Sequence, residues 1–155
     1  GGHCISIDPY YLMHKSKISG YTPSIMISAR KLNDEMHDWV LHAFLKYLKR
    51  HDIDSGKVKV TVLGYTFKEN CSDIRNTRVH KLLTSLNEIG IDFILWDPLL
   101  SKEDSLKLTE NGFKVSLKKP QQVELALLCV SHDEIKNFIE SFNGPIFDYR
   151  NPIVD

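Results

Sequence analysis

Cysteine is scarce in this sequence: Cys4, Cys71 and Cys129 are the three in 155 residues. An odd, widely spaced set builds no disulfide framework, so a reducing, cytoplasmic setting is expected. No C-x-x-C pair or spaced histidine pair offers a metal cage, and no metal site is expected. Charge of one sign is missing too. Twenty basic residues balance twenty acidic ones, which removes the basic excess that nucleic-acid and anionic-membrane partners select. No apolar run approaches the ~20 residues that span a bilayer. No basic-then-apolar leader supports secretion. Glycine is thin as well, eight in all, and no G-x-G-x-x-G occurs, so the usual dinucleotide fingerprint is absent.

What is present suits a soluble domain with a sizeable core: hydrophobic residues make up 42% and charged residues 26%. Residues 1–21 read as a polar and aromatic lead-in, with a turn signal at Asp8-Pro9 before Tyr10-Tyr11. Residues 22–50 read as one long helix, within a 22–52 segment, capped by Thr22 with Pro23 in the first helical position. Apolar residues recur at Ile25, Ala29, Leu32, Met36, Trp39, Ala43 and Tyr47, close to a heptad stripe, and Met26, Val40, Phe44 and Leu48 widen it. Such a helix is about 40 Å long, more than a small domain covers, so part of the stripe is expected to pack on a second copy. The alternative is packing entirely within one subunit.

Beyond residue 52 the pattern alternates. Strands are expected at Lys57–Leu63, Ile91–Trp96, Lys114–Leu117, Glu124–Val130 and Ile146–Phe147. Helices are expected at Asn76–Ile89, after the Ser101–Asp104 capping box, and after a second box at Ser131–Glu134. This order predicts an α/β domain over 53–155 with a doubly wound parallel sheet of order 3-2-1-4-5. Ligands of such sheets bind outside the carboxyl ends of the strands at the switch point, here the loops after Leu63, Val130 and Phe147.

The loop Gly64–Thr77 is long for a strand-to-helix connection and holds Phe67, Lys68, Asp73 and Arg75. A Lys and an Arg ahead of a helix suit phosphate recognition; an internal ion pair of Asp73 with Arg75 or Lys68 is the alternative. Asp148 and Arg150 lie at the end of the last strand, as a ligand contact or a structural pair. Cys4 sits in an accessible stretch beside His3, with Asp8 four residues on, and a thiolate there would be a nucleophile. Cys71 lacks a neighbouring base and Cys129 lies in an apolar strand, so both are expected to be inert.

Together, the segments Gly1–Leu12, Gly64–Asn70, Asp73–Thr77, Trp96-Asp97-Pro98 and Phe147–Asn151 resemble the NAD-dependent nucleotide-sugar 6-dehydrogenases, which include UDP-glucose and GDP-mannose dehydrogenases. His3 before the cysteine and Asp8-Pro9-Tyr10-Tyr11 after it look most like the UDP-N-acetylhexosamine branch. Ile7 stands where UDP-glucose dehydrogenases carry Lys. The resemblance implies a C-terminal portion: an active-site loop remnant (1–21), a dimerisation helix (22–52) and a UDP-sugar-binding domain (53–155), with the NAD-binding domain not included. It implies a two-step oxidation of the sugar C6 alcohol to the carboxylate for polysaccharide biosynthesis. In that scheme Cys4 forms a thiohemiacetal and then a thioester, with Asp8 assisting. Phe67, Lys68 and Arg150 would contact substrate, and Asp73, Arg75 and Asp148 would bind or support. A non-catalytic nucleotide-binding module or a dimerisation module is the competing reading.

Overall fold

Short runs of consecutive apolar residues, too brief for helices and buried on both sides, form a parallel sheet. The strands are β1 (Val60–Leu63), β2 (Phe93–Trp96), β3 (Val115–Ser116), β4 (Leu125–Leu128) and β5 (Ile146–Asp148). Their order is β3-β2-β1-β4-β5 and every pairing is parallel, as the sequence predicts. The computed structural model describes residues 3–150. The Gly1-Gly2 start of the cysteine motif and Asn151 therefore lie outside the described residues. The chain divides into two compact units, Gly1–Trp39 and Val40–Asp155.

In the second unit, alternation along the strands divides the core in two. Val60, Val62, Phe93, Leu95, Leu125 and Leu127 face one way, toward Phe44 and Leu48 and toward Leu82, Leu83 and Leu86 of α4 (Val79–Glu88). Leu63, Trp96, Ala126 and Leu128 face the other way, toward Ile135 and Phe138 of α6 (Asp133–Glu140). The helix between them in sequence, α5 (Lys102–Glu110), starts at the expected capping box: Ser101 Oγ accepts from the Asp104 N–H at 3.0 Å.

The second expected box is not one. The N-cap of α6 is His132, not Ser131, and its side chain makes no cap bond. The Asn70 carboxamide caps this helix from another loop, its Oδ1 accepting from the Asp133 N–H at 3.0 Å. β1 to β4 are shorter than expected, whereas β5 runs one residue further, to Asp148; β1 begins at Val60, after the exposed Lys57 and Lys59.

The first unit departs further from the sequence reading. The Asp8-Pro9 turn does not form; α1 runs His3–Ile18 with Pro9 inside it. An interior proline costs roughly 3 kcal/mol, and contacts to α2 (Ser24–Asp34) offset it. Tyr10 hydrogen-bonds Asp34, the Arg30 guanidinium lies 5.1 Å from the Tyr10 ring centroid, and Met13 is buried. The expected single helix is two, α2 and α3 (Met36–Arg50), interrupted at Glu35. The interruption is slight, because the Glu35 N–H still reaches Lys31 O at 3.0 Å and the Trp39 N–H reaches Glu35 O at 3.3 Å. Asn33 and Asp34, poor residues for a helix interior, precede it. Thr22 does not cap α2; Pro23 occupies that position.

The long stripe splits accordingly. Val40, Leu41, Phe44 and Leu48 are buried in the second unit's core, where Phe44 lies 5.5 Å centroid to centroid from Phe147 of β5. Burial of a side chain like Phe44 contributes about 2 kcal/mol or more. By contrast Ile25, Leu32 and Trp39 are 86%, 68% and 50% exposed.

Candidate functional site

The C-terminal ends of β1, β4 and β5 come together through a close backbone approach. Gly64 follows β1 at φ +86°, and a Cβ there would lie 2.4 Å from the Val130 carbonyl oxygen. Only glycine satisfies both the angle and the space. The Leu63 carbonyl accepts from the Cys129 and Val130 N–H groups at 2.9 and 3.1 Å, so the β1 and β4 loops leave the sheet side by side.

The loop after Gly64 is then fastened from below. Asp97, which ends β2, is 3% exposed. Its Oδ2 accepts from the Tyr65 and Thr66 N–H groups at 2.6 and 3.1 Å, and its Oδ1 accepts from the Leu99 N–H at 2.8 Å. His132 lies against the same carboxylate, with Nε2 3.0 Å from Asp97 Oδ2. Farther along, the Phe67 N–H donates to Asp73 O at 2.8 Å and the Thr77 hydroxyl donates to Tyr65 O at 2.6 Å. Asn70 and Asn76 take positive φ where the loop reverses, a conformation asparagine tolerates better than most residues. This long loop is therefore a knotted, hydrogen-bonded structure and not a solvated strand of chain.

Its charged residues fall into two groups. Asp73 and Arg75 pair with each other, Nη2 to Oδ2 at 2.6 Å, as the ion-pair alternative anticipates. That contact raises the guanidinium pKa and leaves the pair turned to solvent. The second group crosses loops. Arg150 forms a two-pronged pair with Asp148, 2.9 Å from Nε to Oδ1 and 2.9 Å from Nη2 to Oδ2. Its Nη1 also reaches Glu69 Oε1 at 3.1 Å, while Glu69 Oε2 lies 3.2 Å from Lys136 Nζ on α6. Hydrogen bonding to Asp148 pushes the Arg150 pKa up, and the cation is held by two carboxylates, Asp148 and Glu69. Lys68 differs. Its side chain is exposed and its ammonium makes no ion pair among the described residues. Phe67 beside it is half-buried.

Thus Phe67 and Lys68 follow β1 and Asp148 and Arg150 lie at the end of β5, both at the carboxyl end of the sheet and linked through the Glu69–Arg150 pair, with Asp73 and Arg75 on the β1 loop. Cys4 and Asp8 belong to the other unit. They are exposed on α1, at the i,i+4 spacing that puts them on one helix face. Cys129 packs against the core, and burial, reinforced by Asp148, pushes its thiol up to about 12. Asp97, His132, Asn70, Glu69 and Lys136 escaped the sequence reading: Asp97-Pro98 looks like a plain turn and His132 like part of a cap. A large cavity of about 840 Å³ lies elsewhere, on the α6 side of the sheet over Thr61, Ile94 and Trp96, and holds none of the expected site residues.

With that geometry in hand, similarity to known proteins is decisive. Residues 61–155 match the UDP-glucose/GDP-mannose dehydrogenase family, UDP binding domain. The chain belongs to this family. It is 39% identical over 138 residues to UDP-N-acetyl-D-glucosamine 6-dehydrogenase of Pseudomonas aeruginosa, covering 88% of this chain and 32% of that protein. Protein CapL of Staphylococcus aureus is 34% identical over 159 residues, covering 99% of this chain and 37% of that protein. The chain thus spans about a third of the length of these relatives. Among solved structures, the UDP-N-acetyl-mannosamine dehydrogenase Cap5O from S. aureus superposes with a TM-score of 0.67 at 26% identity over 100% of this chain and 35% of that one. A UDP-D-ManNAc dehydrogenase from Pyrococcus horikoshii, at 20% identity and TM-score 0.71 over 100% of this chain and 36% of that one, shares the fold. Among the described residues, no helix is long and apolar enough to cross a membrane.

Proposed function

We propose that this chain is the nucleotide-sugar-binding part of a cytoplasmic, NAD-dependent UDP-N-acetylhexosamine 6-dehydrogenase serving polysaccharide biosynthesis. One observation supports the reading: in a chain whose residues 61–155 match the family's UDP binding domain, Lys68 is exposed on the loop after β1 and makes no ion pair among the described residues, while Arg75, Lys136 and Arg150 are each ion-paired. An unpaired ammonium suits a diphosphate, and the adjacent Phe67 ring suits a flat uracil face. Arg150, fixed by Asp148 and Glu69, lies at the end of β5 as a second positive group at the same end of the sheet.

NAD⁺ supplies the hydride acceptor in such a reaction. The described residues do not fit it by the dinucleotide pattern. Gly64 is occupied in packing against Val130, and the Tyr65 and Thr66 amides that would face a pyrophosphate are already bonded to Asp97. The cofactor is therefore assigned to residues outside this chain. In this reading the Cys4 thiolate adds to the C6 aldehyde, the thiohemiacetal is oxidised to a thioester, and water releases the acid with Asp8 guiding a proton. A homodimer contact is assigned to the exposed Ile25, Leu32, Met36 and Trp39 stripe, supported by that exposure. No nucleic-acid or membrane partner is part of the proposal.

Calorimetric titration with UDP and UDP-N-acetylglucosamine tests the site. Binding is expected at a Kd between about 10 μM and 1 mM, weakened ~10-fold by Lys68→Ala. No NADH should form on adding NAD⁺. A folded sample giving no heat at about 5 mM ligand, well above the expected Kd, would overturn the assignment.

A further inference from the structure

His132 is 1% exposed, and it carries no role in the proposal above. Its ring nevertheless meets both ends of the segment that presents Phe67 and Lys68. On one side Nδ1 accepts the Asn70 backbone N–H at 2.9 Å. An amide can only donate, so Nδ1 bears a lone pair and the ring proton resides on Nε2. On the other side that Nε2 lies 3.0 Å from Asp97 Oδ2 and 3.0 Å from Thr66 Oγ1. With the ring proton pointing at both oxygens, the Thr66 hydroxyl is left to donate its own proton to Lys68 O, 3.3 Å away.

Phe67-Lys68-Glu69 is therefore a short arch. One foot, Thr66, and the other, Asn70, both stand on a single imidazole. The Thr66 foot has a second tie, its backbone N–H on Asp97. The Asn70 foot is also tied through its side chain, whose carboxamide exchanges two hydrogen bonds with Asp133 at the start of α6. The backbone N–H of Asn70, by contrast, has the ring as its acceptor.

We infer that His132 is a positioning residue of the nucleotide-sugar site, which sets the shape of the 67–69 arch and so aims Phe67 and Lys68. The inference rests on the reading of Lys68 as a UDP contact. Physically, it is preorganisation: an arch already fixed before the ligand arrives spares the ligand the cost of ordering it. Buried ring nitrogens find partners as a rule; what singles out this one is that its two nitrogens meet the residues on either side of the 67–69 segment.

The two nitrogens can be separated by substitution. His132→Asn places an amide oxygen near Nδ1 and keeps an acceptor for Asn70, but does not reach Asp97. His132→Gln places an amide nitrogen near Nε2 and keeps a donor for Asp97 and Thr66, but leaves the Asn70 N–H without its acceptor. Three measurements on the full 155-residue chain read the result: thermal midpoint, amide hydrogen exchange at Asn70, and UDP affinity by calorimetry. Both variants should lose stability to a similar degree. His132→Gln should expose the Asn70 amide to exchange and weaken UDP ~10-fold, the effect of about one hydrogen bond. His132→Asn should recover most of both losses. An Asn70 amide still protected in His132→Gln overturns the arch. So does an affinity that follows only the thermal midpoint in both variants. A wild-type chain that binds no UDP, with Asn70 exchange behaving as expected, overturns the nucleotide-sugar reading itself and the inference with it.

Discussion

Cys4 and Cys129 carry the same side chain into opposite chemistry. Cys4 is exposed on α1 and is the proposed nucleophile. Cys129 is held protonated by burial, its thiol pushed from the ordinary 9.0 up to about 12. The sign of the resulting pH dependence follows. Between those two values the unfolded thiol has lost its proton and the folded one has not, so the unfolded chain binds fewer protons and stability falls as pH rises. Tyr65, raised from 10.0 to about 12 by burial, adds to the fall over the upper part of the window. Urea unfolding at pH about 8 and about 10 should therefore show a loss of stability in the wild type that Cys129→Ala reduces. An equal loss in the variant would mean that the thiol does not titrate with folding. That Cys129 is inert could be read from its apolar run alone. The roles of Asp97 and His132 could not, because a carboxylate before a proline and a histidine before an acidic pair are ordinary turn and cap chemistry until the fold sets them 3.0 Å apart.

At the scale of elements, the helical stripe of 22–50 was legible as apolar periodicity, but its division was not. Of the residues that widen the stripe, the structure buries Val40, Phe44 and Leu48 but not Met26, and it leaves Ile25, Leu32 and Trp39 exposed. Periodicity reports which positions share a face; it does not report which part of that face the same subunit covers. The Asp8-Pro9 turn failed for a related reason. Local turn chemistry was outweighed by Tyr10 meeting Arg30 and Asp34 on α2, a contact between residues 24 apart. If the exposed stripe is a homodimer contact, Leu32→Glu should shift the chain to monomer in sedimentation velocity at high micromolar concentration. Its thermal midpoint as a monomer should change little, since surface substitutions of this kind alter stability by about 0.5 kcal/mol. A wild type that is already monomeric under those conditions refutes the contact.

For the whole molecule, strand order and parallel pairing followed from the alternation of strand and helix segments. Phe67, Lys68 and Arg150 could be assigned to loops at the same end of the sheet, because ligand-binding loops follow the carboxyl ends of the strands in any such sheet. What the sequence reading missed was the wiring between loops, which depends on residues far apart in the chain. Asn70 meets His132 across 62 positions and Glu69 meets Arg150 across 81. No local pattern encodes such a pairing. The Glu69 bridge has a thermodynamic consequence. Glu69 ties the loop after β1 to the end of β5, so a ligand bound at the proposed site would favour the state in which that tie is made, by linkage. UDP should therefore raise the thermal midpoint in proportion to the logarithm of its concentration above Kd, and Glu69→Ala should blunt that rise. A midpoint insensitive to UDP under conditions where calorimetry shows binding would uncouple the two. If UDP binds as proposed, it would act in that linkage as a clamp on the sheet's final strand, and the domain would be most completely folded when in use.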